Sequence, residues 1–173
     1  KDRVWFTLAL SNQIGMFDRA SGKFTLYDLP ARSLRERLTT ALIGPIFRLM
    51  AWGVPLANWL PVDRISTGVP LPYGIDITPD GKAWFARLHS DEIGNVDPAS
   101  GKVTMIATPF KGPRRLRSDA EGNLWIGAFP ESAIARYAPA TGKFTRFDLP
   151  VVPAGSDTPY ALNVDRARGI VWV

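Results

Sequence analysis

The chain repeats one segment of about forty residues. Aligned on tryptophan, the copies read VWFTLALSNQIGMFDRASGKFTLYDLP, AWFARLHSDEIGNVDPASGKVTMIATP and LWIGAFPESAIARYAPATGKFTRFDLP, followed by a last VWV. The tryptophans that mark the copies are Trp5, Trp84, Trp125 and Trp172. A period near forty is typical of proteins built from repeated structural units, and it constrains the fold more than any other feature of the sequence.

Each copy consists of short segments of alternating apolar and polar residues, separated by turns. The second copy reads YGIDIT, PDGK, AWFARL, IGNVD, PASGK and VTMIAT in order. Glycines in the PDGK, AEGN, PASGK and PATGK turns allow the positive φ that tight hairpins require. The sequence therefore predicts an all-β fold of four-stranded antiparallel sheets, stacked radially as the blades of a β-propeller. Trp5, Trp84 and Trp125 are predicted to pack in the core between blades.

The repeat divides the chain into three parts. Residues 1–30 are predicted to form a partial blade, residues 31–69 an insertion, and residues 70–173 further blades of one propeller domain. Both ends of the chain fall in the strand that carries the tryptophan, so we expect about three permuted blades. Propellers have about four to eight blades, and open sheet edges promote aggregation. We therefore expect the chain to be part of a longer propeller.

Composition excludes several classes of function. The 173 residues are 46% hydrophobic and include no cysteine, which removes disulfides, thiolate metal sites and cysteine nucleophiles. The formal net charge is +5, but many basic residues lie singly in turns, so nucleic acid is not a favoured partner. The sequence has no uninterrupted apolar run of about twenty residues that would predict a membrane span. It also has no Gly-rich phosphate loop, GxSxG elbow or HExxH motif.

The insertion at 31–69 is predicted to begin with a helix. Its SLRE sequence has the form of a capping box, with Ser33 as the N-cap and Glu36 at the third helical position. The apolar residues that then share one helical stripe are Leu34, Leu38, Ala41 and Leu42. Gly44 and Pro45 are expected to end this helix and to begin a second one.

The second half of the insertion, PIFRLMAWGVPLANWLP, has Arg48 as its only charged residue. Three interpretations stay open: a lid packed on the propeller, a surface for a partner subunit, and an interfacial membrane hairpin. The lid comes first, because a stripe of aromatic residues and Met is more often packing than a binding surface. The membrane interpretation draws on interfacial aromatic residues and flanking arginines. These residues are Phe47, Trp52 and Trp59, with Arg35, Arg37 and Arg64.

The blades resemble those of the virginiamycin B lyase family, the streptogramin lyases, which are seven-bladed β-propellers. The resemblance rests on PYGI near a D-G turn, then WF, IG, DPASGK and a closing strand, and it covers residues 1–30 and 70–173. It implies a C–O lyase or related enzyme that acts on a cyclic ester or lactone-like substrate. It also implies a bacterial protein of the periplasm or extracellular space, with the cytoplasm as the alternative.

In that family, a His in a PHGI segment acts as general acid or base. A Glu shortly after WF helps to hold Mg²⁺, which stabilises charge on the opening ester. The position of the His is occupied here by Tyr73, Arg114 and Tyr160 in the three blades, and the position of the Glu by Arg87 or by apolar residues. The resemblance therefore implies Mg²⁺ for the family, while the catalytic residues of this chain stay unassigned unless other blades supply them.

The sequence places a second set of chemically useful residues at equivalent blade positions. Tyr73, Arg87, Arg114 and Tyr160 are predicted to face the central channel, where two cations and two phenols suit an anionic or carbonyl-rich ligand. A water-lined channel mouth is an equal alternative for these residues. A non-catalytic propeller that binds a partner protein or a membrane surface through residues 34–60 is the alternative function.

The only histidine, His89, lies beside two carboxylates, Asp91 and Glu92. Such a group can act in acid–base chemistry or hold a metal. A solvated hairpin turn is the favoured interpretation, because the sister copies have LSNQ and PESA at this position. Four aspartates are expected to serve turns by accepting hydrogen bonds from backbone N–H groups. They are Asp76, Asp80, Asp97 and Asp119.

Overall fold

Antiparallel strands account for most of the regular structure. The computed structural model describes residues 2–60, 68–150, 153 and 157–173, which divide into two units, Lys1–Pro72 and Tyr73–Val173. Arg64, one of the arginines assigned above to the insertion, lies outside the described residues.

The first unit consists of a three-stranded sheet and a helix. The elements are β1 (Arg3–Leu8), β2 (Gln13–Asp18), β3 (Lys23–Asp28), α1 (Leu34–Ala51) and a 3₁₀ turn, Leu56–Asn58. The strands are neighbours in chain order, and β1 pairs antiparallel with β2 from Arg3 opposite Asp18 to Leu8 opposite Gln13. The first copy of the repeat therefore contributes three strands in the order predicted.

The second unit contains two four-stranded sheets and one hairpin. The first sheet contains β4 (Pro72–Ile77), β5 (Ala83–Arg87), β6 (Glu92–Val96) and β7 (Val103–Ala107). The second contains β8 (Pro113–Ser118), β9 (Leu124–Ala128), β10 (Ala133–Ala138) and β11 (Lys143–Asp148). The hairpin contains β12 (Asn163–Asp165) and β13 (Ile170–Trp172). The predicted four-stranded antiparallel sheets are confirmed, whereas closure of the sheets into a propeller stays a prediction.

The core of the second unit lies between its two four-stranded sheets. Trp84 of β5 is 4% exposed and packs against Tyr137 of β10, with ring centroids 5.7 Å apart. This contact agrees with the prediction that tryptophan packs between neighbouring sheets. Trp5 and Trp125 are only partly buried, which corrects the same prediction for them. Each of these two rings instead stacks on an aromatic side chain of its own sheet.

Asp76 is not a turn residue, contrary to the prediction. It lies inside β4, and its Oδ2 atom accepts hydrogen bonds from the backbone N–H of Ser118 at 2.7 Å and from the Ser118 hydroxyl at 2.8 Å. Asp76 lies within the alternating segment YGIDIT, on the strand itself. The donors to its carboxylate come from Ser118 of the neighbouring sheet. Asp80, Asp97 and Asp119 do accept hydrogen bonds from backbone N–H groups in turns, as expected.

The N-terminus of α1 is capped as the sequence predicts. The Ser33 hydroxyl accepts a hydrogen bond from the N–H of Glu36 at 3.2 Å. The Glu36 carboxylate reaches back one residue further than in an ordinary capping box and accepts from the N–H of Arg32 at 2.7 Å. Two donors at the helix N-terminus are thereby satisfied.

The expected helix break at Gly44 and Pro45 is wrong, because both residues lie inside the continuous helix α1. A proline in a helix removes one hydrogen bond, here to the carbonyl of Ala41, and an exposed carbonyl can bond to water instead. The helix ends at Ala51, and Gly53 follows with φ of 88°. Glycine at positive φ is the common stop signal just beyond a helix.

Candidate functional site

A β-bulge in β8 places two arginine side chains near one ring. The pairing of β8 with β9 shifts by one residue between Pro113 and Leu116, so Arg114 and Arg115 occupy the irregular stretch. Bulges change the direction of side chains relative to a regular strand. The guanidinium carbons lie 4.8 Å (Arg114) and 5.4 Å (Arg115) from the centroid of the Tyr73 ring.

The guanidinium group of Arg114 is surrounded by three aromatic rings. Its central carbon lies 3.7 Å from the ring centroid of Tyr160 and 4.3 Å from that of Phe129, in addition to the Tyr73 contact. Nη2 of Arg114 donates a hydrogen bond of 3.2 Å to the Tyr73 hydroxyl. Arg114 is 9% exposed, whereas Tyr160 is 57% exposed. We call Tyr73, Arg114, Phe129 and Tyr160 the Arg114 cluster.

Gly74 allows β4 to approach the bulge closely enough for this cluster to form. A Cβ atom at this position would lie 2.6 Å from the carbonyl oxygen of Arg114 and 2.8 Å from the Cα of Arg115. Both neighbours are backbone atoms, which cannot move aside as a flexible side chain can. The glycine of PYGI therefore keeps the adjacent Tyr73 within hydrogen-bonding distance of Arg114.

The charge of Arg114 changes the acidity of Tyr73. The hydrogen bond from Arg114 lowers the pKa of the Tyr73 phenol below its usual value, and a hydrogen bond with Tyr160 lowers it further. Both interactions favour the phenolate. Nε of Arg114 is buried and has no hydrogen-bond partner among the described residues. The cluster thus combines a held cation, a buried donor and a phenol of raised acidity, a set suited to a carboxylate or carbonyl oxygen.

The structure brings together three of the four residues that the sequence assigned to a channel site, namely Tyr73, Arg114 and Tyr160. The fourth, Arg87, is fully buried, and its Nη1 donates to Oε2 of Glu92 at 2.8 Å in an ion pair. Sequence reasoning did not select Phe129 or Arg115 for the site. The aromatic residue directly after β9 was a usable signal for Phe129, but a bulge inside PRRL has no comparable signature.

The three residues proposed as a weak acid–base or metal site do not converge. His89 is exposed, Glu92 pairs with Arg87, and Oδ1 of Asp91 accepts a hydrogen bond from the N–H of Gly112 at 2.9 Å. Asp91 also has φ of 51°, a conformation tolerated by Asp and Asn in tight turns. The sister copies have Asn12 and Ser132 at this position, with φ of 53° and 48°. The shared conformation favours the turn interpretation.

The Mg²⁺ implied by the family resemblance does not fit the residues present. Within the described ranges, no group of three His, Asp or Glu side chains is placed to hold a metal ion. The Arg114 cluster offers cationic and phenolic groups, whereas Mg²⁺ is held by carboxylates and other oxygen ligands. The chemistry of this site is therefore derived from its arginines and tyrosines alone.

Comparison with solved structures identifies the fold. Virginiamycin B lyase from Staphylococcus aureus aligns with 98% of this chain and 44% of its own, at 23% sequence identity and a TM-score of 0.68. The chain has the fold of the aligned part of virginiamycin B lyase. No protein-family model matches the chain, and no curated protein matches its sequence. The virginiamycin B lyase resemblance is therefore a resemblance of structure.

Other solved structures, including one of a different name, also align with this chain. A catalytically inactive virginiamycin B lyase from S. aureus, solved with quinupristin, aligns with 88% of this chain and 40% of its own, at 24% identity and a TM-score of 0.61. Hydrazine synthase from Kuenenia stuttgartiensis aligns with 94% of this chain and 36% of its own, at 12% identity and a TM-score of 0.62. The chain spans less than half the length of these structures. Such a fold is shared by unrelated activities, so the reaction must be argued from the site.

Proposed function

We propose that this chain contributes blades to a virginiamycin-B-lyase-like β-propeller that binds a small anionic or carbonyl-rich molecule at the Arg114 cluster. The observation that carries the proposal is the Arg114 guanidinium, which is held by three aromatic rings while one of them, Tyr160, stays largely exposed. The two four-stranded sheets and the fold of similar structures support the propeller. A propeller of this kind needs further blades to close its ring.

The chemistry of the cluster favours an oxygen ligand. Aromatic rings that pack on a guanidinium face leave its N–H groups pointing outward in the plane, where they can bind a carboxylate or carbonyl group. The Tyr73 hydroxyl accepts the hydrogen bond from Nη2 of Arg114, which holds the phenol oxygen beside the guanidinium group. Arg115 adds a second positive charge 5.4 Å from the centroid of the Tyr73 ring. The ligand therefore carries at least one anionic or strongly polarised oxygen.

The resemblance to the streptogramin lyases narrows the proposed class of ligand to cyclic esters or lactones. A C–O lyase breaks the alkyl C–O bond of the ester while a proton leaves the neighbouring carbon. A C=C bond and a free carboxylate form, and the product is a ring-opened isomer of the substrate. Arg114 would hold the carboxylate as its charge develops, and the acidic Tyr73 phenol, as its phenolate, would take up the proton.

The binding proposal is tested by calorimetric titration of the chain with quinupristin and with a simple aromatic carboxylate. Arg114→Gln should weaken binding by about 10- to 100-fold, because a charged hydrogen bond to the ligand is lost. Arg114→Lys should lose nearly as much, since the planar fork is missing. Arg146→Gln, which removes an exposed arginine elsewhere in the second unit, is the matched control.

The mass of the product separates the candidate activities. A linear product of unchanged mass identifies a lyase, a product that has gained one water identifies a hydrolase, and binding without turnover identifies a binding propeller. Absence of binding by the unmodified chain would overturn the proposal. An equal loss in Arg114→Gln and in Arg146→Gln would do the same, because the effect would then reflect net charge.

A further inference from the structure

Helix α1 carries an apolar stripe that the described part of the chain leaves exposed. At 100° per residue, the stripe occupies an arc of about 80° along the helix. Its exposed members are Leu34, Leu38, Leu42, Leu49 and, just past the helix end, Trp52. Leu34 is 71% exposed and Trp52 is 80% exposed. Single exposed apolar residues are common on protein surfaces, but five on one side of a helix, spread over five turns, mark an interaction surface.

The buried residues of α1 lie on the opposite side of the helix. Ile43 and Glu36 are its buried residues, and both lie about half a turn away from the stripe. Phe47, selected from the sequence as a partner or membrane contact, lies on this inner side although it is half exposed. Phe47 is therefore not a member of the stripe. The helix thus has two sides with apolar residues, of which one contains the buried Ile43 and the other is exposed.

The charges beside the stripe are all positive. Arg35 borders it on one side, and Arg37 and Arg48 border it on the other, and all three are exposed. Glu36 is the only acidic residue of α1, and it is buried as the partner of the helix cap. Among the described residues of α1 itself, the exposed side therefore combines apolar side chains with three arginines and no acidic residue. This charge pattern complements an anionic surface.

The segment after α1 adds a second exposed indole. Trp59 follows the 3₁₀ turn Leu56–Asn58 and is 71% exposed. Tryptophan is enriched where a protein meets the headgroup region of a bilayer, because its ring is apolar and its N–H is polar. Within the described residues, no helix is long and apolar enough to cross a membrane. A helix of this kind lies in the plane of the membrane surface.

We propose that α1 and the following segment to Trp59 dock on the surface of a bilayer that contains anionic lipids. The leucine stripe and Trp52 enter the boundary between headgroups and acyl chains, and Arg35, Arg37 and Arg48 contact lipid phosphates. Because the stripe runs along the whole helix of about 27 Å, the helix axis lies parallel to the surface when all of the stripe contacts the bilayer. This binding is independent of the Arg114 cluster, which lies in the second unit.

The test is cosedimentation of the whole chain with vesicles of phosphatidylglycerol and phosphatidylcholine, compared with vesicles of phosphatidylcholine alone. We expect binding to the anionic vesicles that weakens steeply as salt is added. The triple variant Arg35→Gln, Arg37→Gln, Arg48→Gln should bind about 100-fold more weakly, because each cation near an anionic surface contributes about a factor of five. The variant Arg19→Gln, Lys23→Gln, Lys143→Gln removes the same charge from exposed turns and strands and should bind nearly as well as the unmodified chain.

Tryptophan fluorescence locates the contact. The blue shift on addition of anionic vesicles should be lost in Trp52→Phe, Trp59→Phe, while circular dichroism of every variant confirms that it is folded. No binding to either type of vesicle would overturn the proposal, as would equal binding to both. Loss of binding in the control triple variant would assign the effect to overall charge. Self-association that is lost in Leu38→Ser, Leu42→Ser, without vesicle binding, would make the stripe a protein interface and overturn the membrane assignment.

Discussion

Asp76 of β4 and Ser118 of β8 are joined twice through one oxygen atom, since Oδ2 of Asp76 accepts from both the N–H and the hydroxyl of Ser118. Arg166, after β12, donates to the same oxygen at 3.3 Å. One carboxylate therefore links three successive copies of the repeat by polar contacts, in addition to the apolar core.

Asp76→Ala should lower the free energy of unfolding by about 2 to 3 kcal/mol, because it leaves the Ser118 N–H without its acceptor. Urea unfolding measures this change. Asp148→Asn, which removes one partner of an exposed ion pair with Arg146, should cost less than about 1 kcal/mol. Equal losses in the two variants would show that the link between β4 and β8 contributes little.

The phenols of the second unit should titrate in a defined order. Arg114 lowers the pKa of Tyr73, whereas burial raises the pKa of Tyr137. We expect Tyr73→Phe to remove the phenolate absorbance that appears first as the pH rises. Tyr137→Phe should remove the phenolate absorbance that appears last. Ultraviolet absorbance titration measures both. In Arg114→Gln the titration of Tyr73 should move to higher pH, and an unmoved titration would show that the hydrogen bond does not control its acidity.

The Asp119 carboxylate should make folding sensitive to acid. Burial alone would raise the pKa of Asp119, but hydrogen bonds from Asn123 and from the Trp125 indole outweigh it, and the pKa lies below its usual value. The native state therefore holds a proton less readily than the unfolded state. Its contribution to stability is present above the unfolded pKa of about 3.9 and is lost as the pH falls through the lower native pKa.

Asp119→Asn should make stability depend less on pH in the acid range. It should also reduce stability near neutral pH by about 1 to 3 kcal/mol, because the new side-chain NH2 group would face the N–H groups of Asn123 and Trp125 and could not accept their hydrogen bonds. Urea unfolding at a series of pH values, followed by tryptophan fluorescence, measures both effects. An unchanged slope between neutral and acid pH would contradict the assignment.

Two glycine-to-alanine substitutions should change the stability of the chain in opposite directions. Gly74→Ala forces a Cβ against the backbone of Arg114 and should destabilise the chain by about 1 to 3 kcal/mol. Gly44→Ala lies in α1 with no atom within 4 Å of the added Cβ, and it should stabilise the chain by up to about 1 kcal/mol. Thermal unfolding compares them. Gly74→Ala should also weaken ligand binding at the Arg114 cluster, while Gly44→Ala should not.

Local chemistry explains the successes of sequence-based prediction. Alternating segments separated by glycine turns predicted the strands, and Ser33 with Glu36 predicted the start of α1, because caps and tight turns depend on a few adjacent residues. The break predicted at Pro45 failed because a proline costs one hydrogen bond, and an exposed helix face can tolerate that loss. A rule based on neighbouring residues predicts the preferred structure of a segment. It does not include the contacts of the whole helix, which can outweigh that preference.

The sequence predicted only those site residues that occupy equivalent positions in the repeat. Tyr73 and Arg114 are 41 residues apart, one repeat, so sequence alignment placed them at equivalent positions of neighbouring sheets. Arg87 was assigned to the same site, but its side chain is buried and forms an ion pair with Glu92. The bulge that brings Arg115 to the Tyr73 ring depends on pairing with β9, which a single-strand pattern does not encode.

The sequence by itself determined the elements of this protein: the repeat, the antiparallel strands, their turns and the capped helix. Each of these follows from contacts between residues that are close along the chain. Only the tertiary structure decided which side chains meet, namely that Asp76 bonds to the next sheet, that Arg114 is enclosed by rings from different segments, and that the leucine stripe of α1 faces outward. These outcomes depend on burial and on contacts between segments that are separate along the chain, where the free energy of the whole arrangement outweighs local preference.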